Sequence, residues 1–358
     1  MRVLLLGGSG AIGTHLAKIL YSLGITVCIT SRYPKSTNDK ISHIQGNAKD
    51  IHFLKKITET NWDAIVDFMN YSEEEFIERI NILLSNTDNY CFLSSSRIYA
   101  NSGKTLLTEK SPILLRTEND EDYLKSNEYG LAKAKEEQVI VNSGKINWTI
   151  FRPYIIYSEK RFQLGNLEKE DWLQRVIEGK SIILQKSLCD KYTTLTYSPD
   201  AGEIIAAIIM SPKSKSQVYN IVDGAKHSLT WGKIAKIYQE ILEKKLCRKV
   251  NIKYLTDAQF RKLRTGKSYY QTSHDRMYNR VFDNRKILSF KKEDSFIPLQ
   301  EGLENSLTKF LKSPKFMFKN YAQEALIDRF TGEHTNISSI PSIKNKLIYL
   351  YYRYKILL

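Results

Sequence analysis

The chain has 358 residues, 42% of them apolar and 26% charged, which is the composition of a globular protein with one large domain or two modest ones. Its 17 glycines and 8 prolines exclude a collagen-like or low-complexity chain, and its formal net charge of +15 favours an anionic partner. No uninterrupted apolar run reaches the ~18 residues that cross a bilayer.

Short apolar runs alternate with longer helical patterns along the first half of the chain. Strands are predicted at residues 3–6, 26–30, 64–68, 90–94 and 148–151, and helices at residues 14–23, 72–84 and 129–141. The first apolar run leads directly into a glycine loop, which indicates a strand rather than a signal peptide and favours a cytoplasmic location. Strands that alternate with helices predict an α/β fold with a doubly wound parallel sheet.

The regular alternation ends after Arg152-Pro153 and predicts a second, smaller domain. We expect a first domain at residues 1–160, a discontinuous second domain at residues 161–330 and a basic aromatic tail at residues 331–358. A strand near residues 217–223 is expected to return to the sheet of the first domain.

Four cysteines lie far apart, at Cys28, Cys91, Cys189 and Cys247. No paired spacing suggests a metal site, and a free thiol inside an apolar run behaves as a small hydrophobic side chain. We expect neither disulfides nor a bound metal.

A glycine-rich turn follows the first predicted strand. Residues 7–13 fit the pattern Gly-x-x-Gly-x-x-Gly, a variant of the dinucleotide fingerprint. Gly7 allows a tight turn, Gly10 allows the backbone to approach a pyrophosphate, and Gly13 allows close packing of helix and strand. The amides that open the helix then face negative charge. Cofactor contacts are therefore assigned to Gly7, Ser9, Gly10, Ala11, Ile12 and Gly13.

The end of the second strand distinguishes the two nicotinamide cofactors. An acidic residue there holds the ribose of NAD, whereas an arginine accommodates the extra phosphate of NADP. Here Ser31 and Arg32 follow the strand, and the first carboxylate is Asp39. Arg32 can pair with a phosphate and Ser31 can add a hydrogen bond, so the sequence favours NADP over NAD. A solvated loop arginine is the alternative.

Tyr129 and Lys133 lie four residues apart at the start of a predicted helix. This spacing places a phenol and an ammonium on one helix face. A free tyrosine has a pKa near ~10, and a neighbouring cation favours the phenolate that a general base requires. The same spacing recurs at Tyr351 and Lys355, but only Tyr129 opens a helix that follows the predicted strand at residues 90–94.

Three serines, Ser94, Ser95 and Ser96, stand at the end of the predicted strand at residues 90–94. A serine at the carboxyl end of such a strand points into the crevice where doubly wound sheets bind ligands. Its hydroxyl can hold a substrate oxygen while Tyr129 exchanges the proton and hydride passes to or from the cofactor. A polar strand end without function is the alternative.

Together these motifs resemble the extended short-chain dehydrogenase/reductases of the NAD-dependent epimerase/dehydratase type over roughly residues 1–312. The segments that carry the resemblance are residues 7–13, Ser94-Ser95, Ile98-Tyr99, residues 129–133, Arg152-Pro153, residues 198–203, residues 219–224, residues 229–231 and residues 282–287. The resemblance implies a Rossmann domain, a small C-terminal substrate domain and chemistry on nucleotide-linked sugars.

The resemblance also implies roles for single residues. In this family the catalytic serine or threonine lies four residues before a tyrosine that corresponds to Tyr99, which selects Ser95, with Ser96 second. Lys133 is implied to hold the cofactor ribose, and Asn47 is the candidate adenine contact. Further cofactor contacts are expected from Phe68 and Pro153, and substrate contacts from Ser96, Tyr154, Arg276 and Arg285.

Three departures from the family pattern bear on the reaction. Ser96-Arg97 stands where the 4,6-dehydratases carry Asp-Glu, which argues against dehydration. Residues 154–158 replace an asparagine and a Tyr-Gly-Pro turn, and Thr193 replaces an arginine of many epimerases. The identity of the sugar therefore stays open.

Positive charge is concentrated in residues 244–292, which hold fifteen Lys or Arg against three Asp. Such a segment is typical of a nucleic-acid-binding surface, of a solvated surface, or of a surface whose electrostatic field attracts an anionic small molecule. No nucleic-acid-binding motif accompanies the charge, so we expect a phosphate-bearing substrate and no nucleic acid.

The C-terminal tail, residues 344–358, mixes Lys and Arg with Tyr, Leu and Ile. Such a tail can lie weakly on an anionic membrane surface. The alternative is a terminal helix that docks on the protein or on a second subunit, and a homodimer is compatible with the sequence.

Three functions remain open from the sequence. The first is an NADP(H)-dependent enzyme that reduces or oxidises a sugar carbon of a nucleotide-sugar. The second is an epimerase that retains NAD, and the third is an RNA- or polymer-binding protein on the same fold. Ser95, Tyr129 and Lys133 favour an enzyme, and Arg32 favours the reductase over the epimerase.

Overall fold

The computed structural model describes residues 1–33, 41–103, 105–264 and 267–354. The strands are β1 (Arg2–Leu6), β2 (Thr26–Ser31), β3 (Ile41–Gln45), β4 (Ala64–Asp67), β5 (Tyr90–Leu93), β6 (Trp148–Pro153), β7 (Ile156–Tyr157), β8 (Gln163–Leu164), β9 (Leu167–Glu168), β10 (Ile182–Gln185), β11 (Tyr192–Thr193), β12 (Thr196–Tyr197), β13 (Gln217–Ile221), β14 (Leu229–Thr230) and β15 (Ile252–Leu255). The α-helices are α1 (Ala11–Ser22), α2 (Ile51–Ile57), α3 (Glu73–Ser85), α4 (Leu114–Thr117), α5 (Glu121–Lys125), α6 (Tyr129–Asn142), α7 (Leu173–Ile177), α8 (Ser198–Ile209), α9 (Trp231–Leu246), α10 (Asp257–Leu263), α11 (Lys267–Gln271), α12 (Leu299–Leu311), α13 (Tyr321–Thr331) and α14 (Ile343–Tyr354).

Seven parallel strands form the main sheet, in the order β13-β6-β5-β4-β1-β2-β3. Alternate residues of β1 enter two different buried clusters, Val3 and Leu5 in one and Leu4 and Leu6 in the other. The first cluster includes residues of α1 and α8, and the second includes residues of α2 and α3. Because helices cover both faces, the central strands are continuously apolar, and the expected doubly wound α/β fold is confirmed.

The sequence did not predict β3 or several helices of the first unit, among them α2 and α8. β3 carries no continuous apolar run, because it forms the edge of the sheet and is only partly buried. The first helix begins at Ala11, three residues earlier than predicted, because Gly13 lies inside its first turn.

The chain divides into two compact units, and both are discontinuous. The first unit contains Met1–Lys160, Thr194–Ser228 and Val281–Gly302, and it includes the main sheet. The second contains Arg161–Thr193, Leu229–Arg280 and Leu303–Leu358. Within the second unit α14 packs on α13 through the buried ring of Tyr349, so the expected separate tail belongs to this unit up to Tyr354. Lys355, Ile356 and Leu357 lie outside the described residues.

No helix in the described ranges has both the length and the apolarity that a membrane-spanning segment requires.

Candidate active site

The glycine turn between β1 and α1 has a conformation that depends on glycine. Gly7 has a φ of +72°, and its N–H donates to Thr30 Oγ1 at 3.0 Å. A Cβ on Gly13 would lie 2.4 Å from the carbonyl oxygen of Gly8, so a side chain there would separate the helix from the turn. The two positions fix the path of the backbone around the start of α1.

The start of α1 fits an anionic ligand. Gly10 is the N-cap, no side chain caps the helix, and the first turn contains no acidic residue. A Cβ on Gly10 would meet nothing within 4 Å, so space adjoins the turn. Amides without a capping acceptor, at the positive end of a helix dipole, bind phosphate groups, and the pyrophosphate of a dinucleotide fits this turn.

Lys160 lies against the same turn and was not identified by sequence analysis. Its Nζ donates to the Ser9 carbonyl oxygen at 2.8 Å and to Thr14 Oγ1 at 2.6 Å. A cation near a helix N-terminus opposes the helix dipole, so this arrangement gains from a bound anion. Lys160 is 151 residues from Ser9 and belongs to no motif, so no local signal could have revealed the contact.

The residues expected to choose between NAD and NADP lie at the carboxyl ends of β2 and β3. Ser31 pairs with Gln45 in the sheet, and the Ser31 carbonyl accepts from Gly46 N–H. Arg32 and Asn47, which follow closely on these two strands, are both exposed. Asp39 lies outside the described residues. The structure therefore presents an arginine and an asparagine at this edge, and both remain proposed cofactor contacts.

Tyr129 and Lys133 lie on the first two turns of α6, whose N-cap is Glu128. Tyr129 is 38% exposed, whereas Lys133 is buried, with Nζ 6.0 Å from the centroid of the Tyr129 ring. The ammonium donates to the Met69 carbonyl at 3.1 Å and forms an ion pair with Glu136 at 2.9 Å. The pair thus combines an accessible phenol with a fixed cation.

A second cation, Arg97, flanks the same phenol. Its Cζ lies 5.4 Å from the centroid of the Tyr129 ring, and its guanidinium pairs with Glu128. Two cations, Arg97 and Lys133, therefore lie within 6.0 Å of the centroid of the Tyr129 ring. In the sequence Arg97 stands out only as a departure from the dehydratases, because its approach to α6 depends on the tertiary fold.

Two buried carboxyls lie close to Lys133. Asp67 accepts from Tyr90 Oη at 2.9 Å, from Tyr71 Oη at 3.1 Å and from Met69 N–H at 2.9 Å. Burial raises the pKa of Asp67 and the pKa of Glu136, and the charge of Lys133 opposes both shifts. The ammonium is therefore held in place by groups that solvent does not reach.

The serines after β5 have different partners. Ser95 Oγ accepts from Arg97 N–H at 3.2 Å, which leaves its proton available for another acceptor. Ser96 is fully buried, and its hydroxyl donates to the Arg152 carbonyl at 2.7 Å. Hydrogen bonding thus favours Ser95 over Ser96 as the group that holds a substrate oxygen, and it argues against the expected substrate contact of Ser96.

The model of the NAD dependent epimerase/dehydratase family matches residues 3–222, and this range contains the seven strands of the main sheet except for Arg2 of β1. The chain belongs to this family.

Solved structures with the same fold include the enzyme WbmH of Bordetella bronchiseptica in complex with NAD+ (13% identity, 88% of this chain, 99% of that chain, TM-score 0.65). UDP-glucose 4-epimerase of Bifidobacterium longum, in complex with NAD+ and UDP, is similar (18% identity, 88% and 99%, TM-score 0.65). A curated relative, the chloroplast stem-loop binding protein of 41 kDa b of Arabidopsis thaliana, is 27% identical over 251 residues, or 66% of this chain. The chain spans 61% of the length of that relative.

Phe68 and Pro153 were expected to contact the cofactor. The Phe68 N–H donates to the Leu6 carbonyl, and its partly buried side chain lies just beyond β4. Pro153 ends β6 and is also partly buried. Both follow the carboxyl ends of central strands, where parallel sheets bind ligands, and both remain proposed contacts.

The expected substrate contacts are less well supported by the structure. Tyr154 is buried against the Phe282 ring, at 5.2 Å between centroids. Arg276 is buried in a π-helical turn and donates to the Gly165 carbonyl, Asp275 and Gln163. This arrangement argues against Tyr154 and Arg276 as ligands of a substrate phosphate. Arg285 is 85% exposed and pairs with Asp283, so it remains a proposed contact.

Proposed function

We propose that the protein is an oxidoreductase that uses a nicotinamide dinucleotide to oxidise or reduce a carbon of a nucleotide-linked sugar, with net reduction by NADPH as the favoured reaction. The observation that carries the proposal is the accessible Tyr129 phenol beside two cations, the buried Lys133 and the partly buried Arg97. A binding protein has no need of a phenol held in this environment, whereas a proton-exchanging group requires it.

The side chains take complementary roles in this reaction. When bound, the dinucleotide supplies or accepts the hydride. Tyr129 gives its proton to the substrate oxygen during reduction, and Arg97 and Lys133 stabilise the phenolate that remains. The hydroxyl of Ser95 donates a hydrogen bond to the same oxygen. The amides at the start of α1, with Lys160 beside them, would hold the pyrophosphate.

The preference for NADP rests on Arg32. An arginine at the end of β2 can form charge-assisted hydrogen bonds to a ribose phosphate, and no carboxylate in the described part of this edge competes with it. We expect NADPH to bind more tightly than NADH, and Arg32→Asp to reverse the order with a change of roughly ten- to a hundredfold. Titration calorimetry with both cofactors tests this, and equal affinities would contradict it.

An epimerase that retains NAD is the alternative on the same site. Solved structures of similar fold include an epimerase in complex with NAD+ and UDP. Such an enzyme would return the hydride to the opposite face of the sugar. Ser95, Tyr129 and Lys133 would form the site that exchanges the proton, as in the reductase.

A second candidate function is binding of structured RNA. It is favoured by the name of the curated relative and by the net charge of +15. The basic segment at residues 244–292 supports it less than its composition indicated, because many of its cations have protein partners. Arg264 pairs with Asp171, Arg280 with Asp275, and Lys291 with Asp200 and Glu203.

One experiment separates the three functions. The protein is purified without added nucleotide, and small molecules released on denaturation are identified by mass spectrometry. An empty site that binds NADPH supports the reductase, whereas tightly retained NAD supports the epimerase. A protein that binds neither dinucleotide, but binds a stem-loop RNA with strong salt dependence, would overturn the enzyme proposal.

A further inference from the structure

The last described helix, α14, exposes a continuous apolar stripe. Ile343, Leu347, Tyr351 and Tyr354 are 77%, 43%, 42% and 52% exposed. Their spacings of four, four and three residues place them on one helix face. An apolar face of this kind on a surface helix is normally covered by a partner or a lipid phase.

The opposite side of α14 is anchored to the second unit. Tyr349 is buried, its hydroxyl donates to Asp328 Oδ2 at 2.7 Å and accepts from Thr335 N–H at 3.0 Å. Arg353 donates to the Glu333 carbonyl. Because these contacts fix the rotation of the helix about its axis, the stripe is held outward and does not depend on fraying of the chain end.

Cations border the stripe on both sides. With about 100° of rotation per residue, Lys344 lies next to one edge of the stripe, and Lys346 and Arg353 lie towards the other edge. The twelve residues of α14 include no Asp or Glu. Within α14 the stripe is therefore bordered by positive charge, and half of it consists of tyrosine, whose ring favours the headgroup region of a bilayer.

We propose that α14 places the protein on an anionic lipid surface, with the apolar stripe inserted between headgroups and the bordering lysines extended towards lipid phosphates. A second copy of the chain fits the stripe less well. A symmetric pair of these helices would bring their cations together without acidic partners. A single short helix binds weakly, so we expect binding that requires anionic lipid and weakens with salt.

The test uses the full-length protein and sedimentation with vesicles. Vesicles of phosphatidylcholine and of a phosphatidylcholine–phosphatidylglycerol mixture are compared at low and high salt. We expect the protein to sediment with the mixed vesicles at low salt only. Leu347→Glu should weaken this partition by about tenfold or more, and Lys344→Gln by about fivefold.

Ile146→Glu is the matched control, because Ile146 is 75% exposed in the first unit and lies outside the stripe. It should leave vesicle binding unchanged. Circular dichroism checks that each variant folds, and if Leu347→Glu fails to fold, Tyr354→Glu replaces it. Failure to bind anionic vesicles, or equal binding by the stripe variants, would overturn the proposal. A concentration-dependent dimer abolished by Leu347→Glu, without vesicle binding, would assign the stripe to a second copy.

Discussion

The two compact units both bury cations, but the neighbours of these cations differ. In the second unit Arg175 is fully buried and pairs with Glu324, Asp328 and Glu333, all within 2.9 Å. In the first unit Lys133 is also buried, but it forms an ion pair with Glu136 and lies beside an exposed phenol. Burial of a charge alone therefore does not indicate a functional site. We expect the accessible phenol beside Lys133, rather than the buried charge itself, to mark such a site.

The largest expected effect is a loss of hydride transfer at the proposed site in the first unit. Tyr129→Phe removes one hydroxyl and should leave the fold intact, while hydride transfer falls by ~10²–10⁴-fold because general acid–base catalysis is lost. Single-turnover nicotinamide absorbance, with a nucleotide-sugar that the wild-type protein is found to convert, measures this. Tyr192→Phe, an exposed tyrosine of the second unit, is the control. Wild-type hydride transfer by Tyr129→Phe would contradict the proposed reaction.

Arg175→Met breaks the corresponding cluster in the second unit. Removal of the guanidinium leaves buried carboxylates with less compensation, so the free energy of unfolding should fall by about 3–5 kcal/mol. Urea denaturation measures the loss. Arg285→Met removes an exposed arginine that is also paired with an aspartate, and it should cause no measurable change. Equal losses of unfolding free energy in the two variants would show that burial of an ion pair does not determine its contribution to stability.

Lys160 is an exposed cation beside the glycine turn, whereas Lys133 is buried. Its replacement tests whether an exposed cation contributes to cofactor binding. Lys160→Gln should weaken dinucleotide binding by about tenfold, because one charge next to the pyrophosphate is lost. Calorimetric titration measures the change. Lys18→Gln neutralises an exposed lysine on the same helix, further from the turn, and should have little effect. If both variants bind alike, Lys160 does not contribute to this site.

The smallest expected effect concerns two buried aspartates with opposite pKa shifts. Burial and the neighbouring Asp200 raise the pKa of Asp223 well above its usual value, and neither carboxyl oxygen has a hydrogen-bond partner among the described residues. Burial alone would also raise the pKa of Asp328, but Arg175 and Lys180 hold it below its usual value.

The two shifts have opposite consequences for stability. The folded protein retains the Asp223 proton where the unfolded chain has lost it, so this contribution falls as pH rises from about 4 towards the raised folded pKa. The contribution of Asp328 is present above about pH 4 and is lost as pH falls through its lowered folded pKa. Relative to wild type, Asp223→Asn should therefore gain roughly 2–4 °C in Tm between about pH 4 and pH 7. Asp328→Asn should lower Tm most at neutral pH. If Tm changes with pH in the same way in both variants, this assignment is contradicted.

Sequence analysis predicted the fold well where signals were local. The continuous apolar strands and the glycine turn determined the sheet and the position of α1, while β3 was missed because an edge strand needs no apolar run. The approach of Arg97 to Tyr129 and of Lys160 to Ser9 depends on residues that are distant in sequence. The basic segment was misleading for the same reason, since Arg264 finds its carboxylate 93 residues away, at Asp171.

The order in which the chain is synthesised adds a constraint to the seven-stranded sheet. β6 ends at Pro153, but its partner β13 begins only at Gln217, and the first unit is complete only at Gly302. A nascent chain that has formed six strands therefore presents the unpaired edge of β6 until β13 has left the ribosome. An open edge of this kind is a site for pairing with other chains, so we expect the interval between β6 and β13 to be a period of synthesis in which the chain is prone to aggregation.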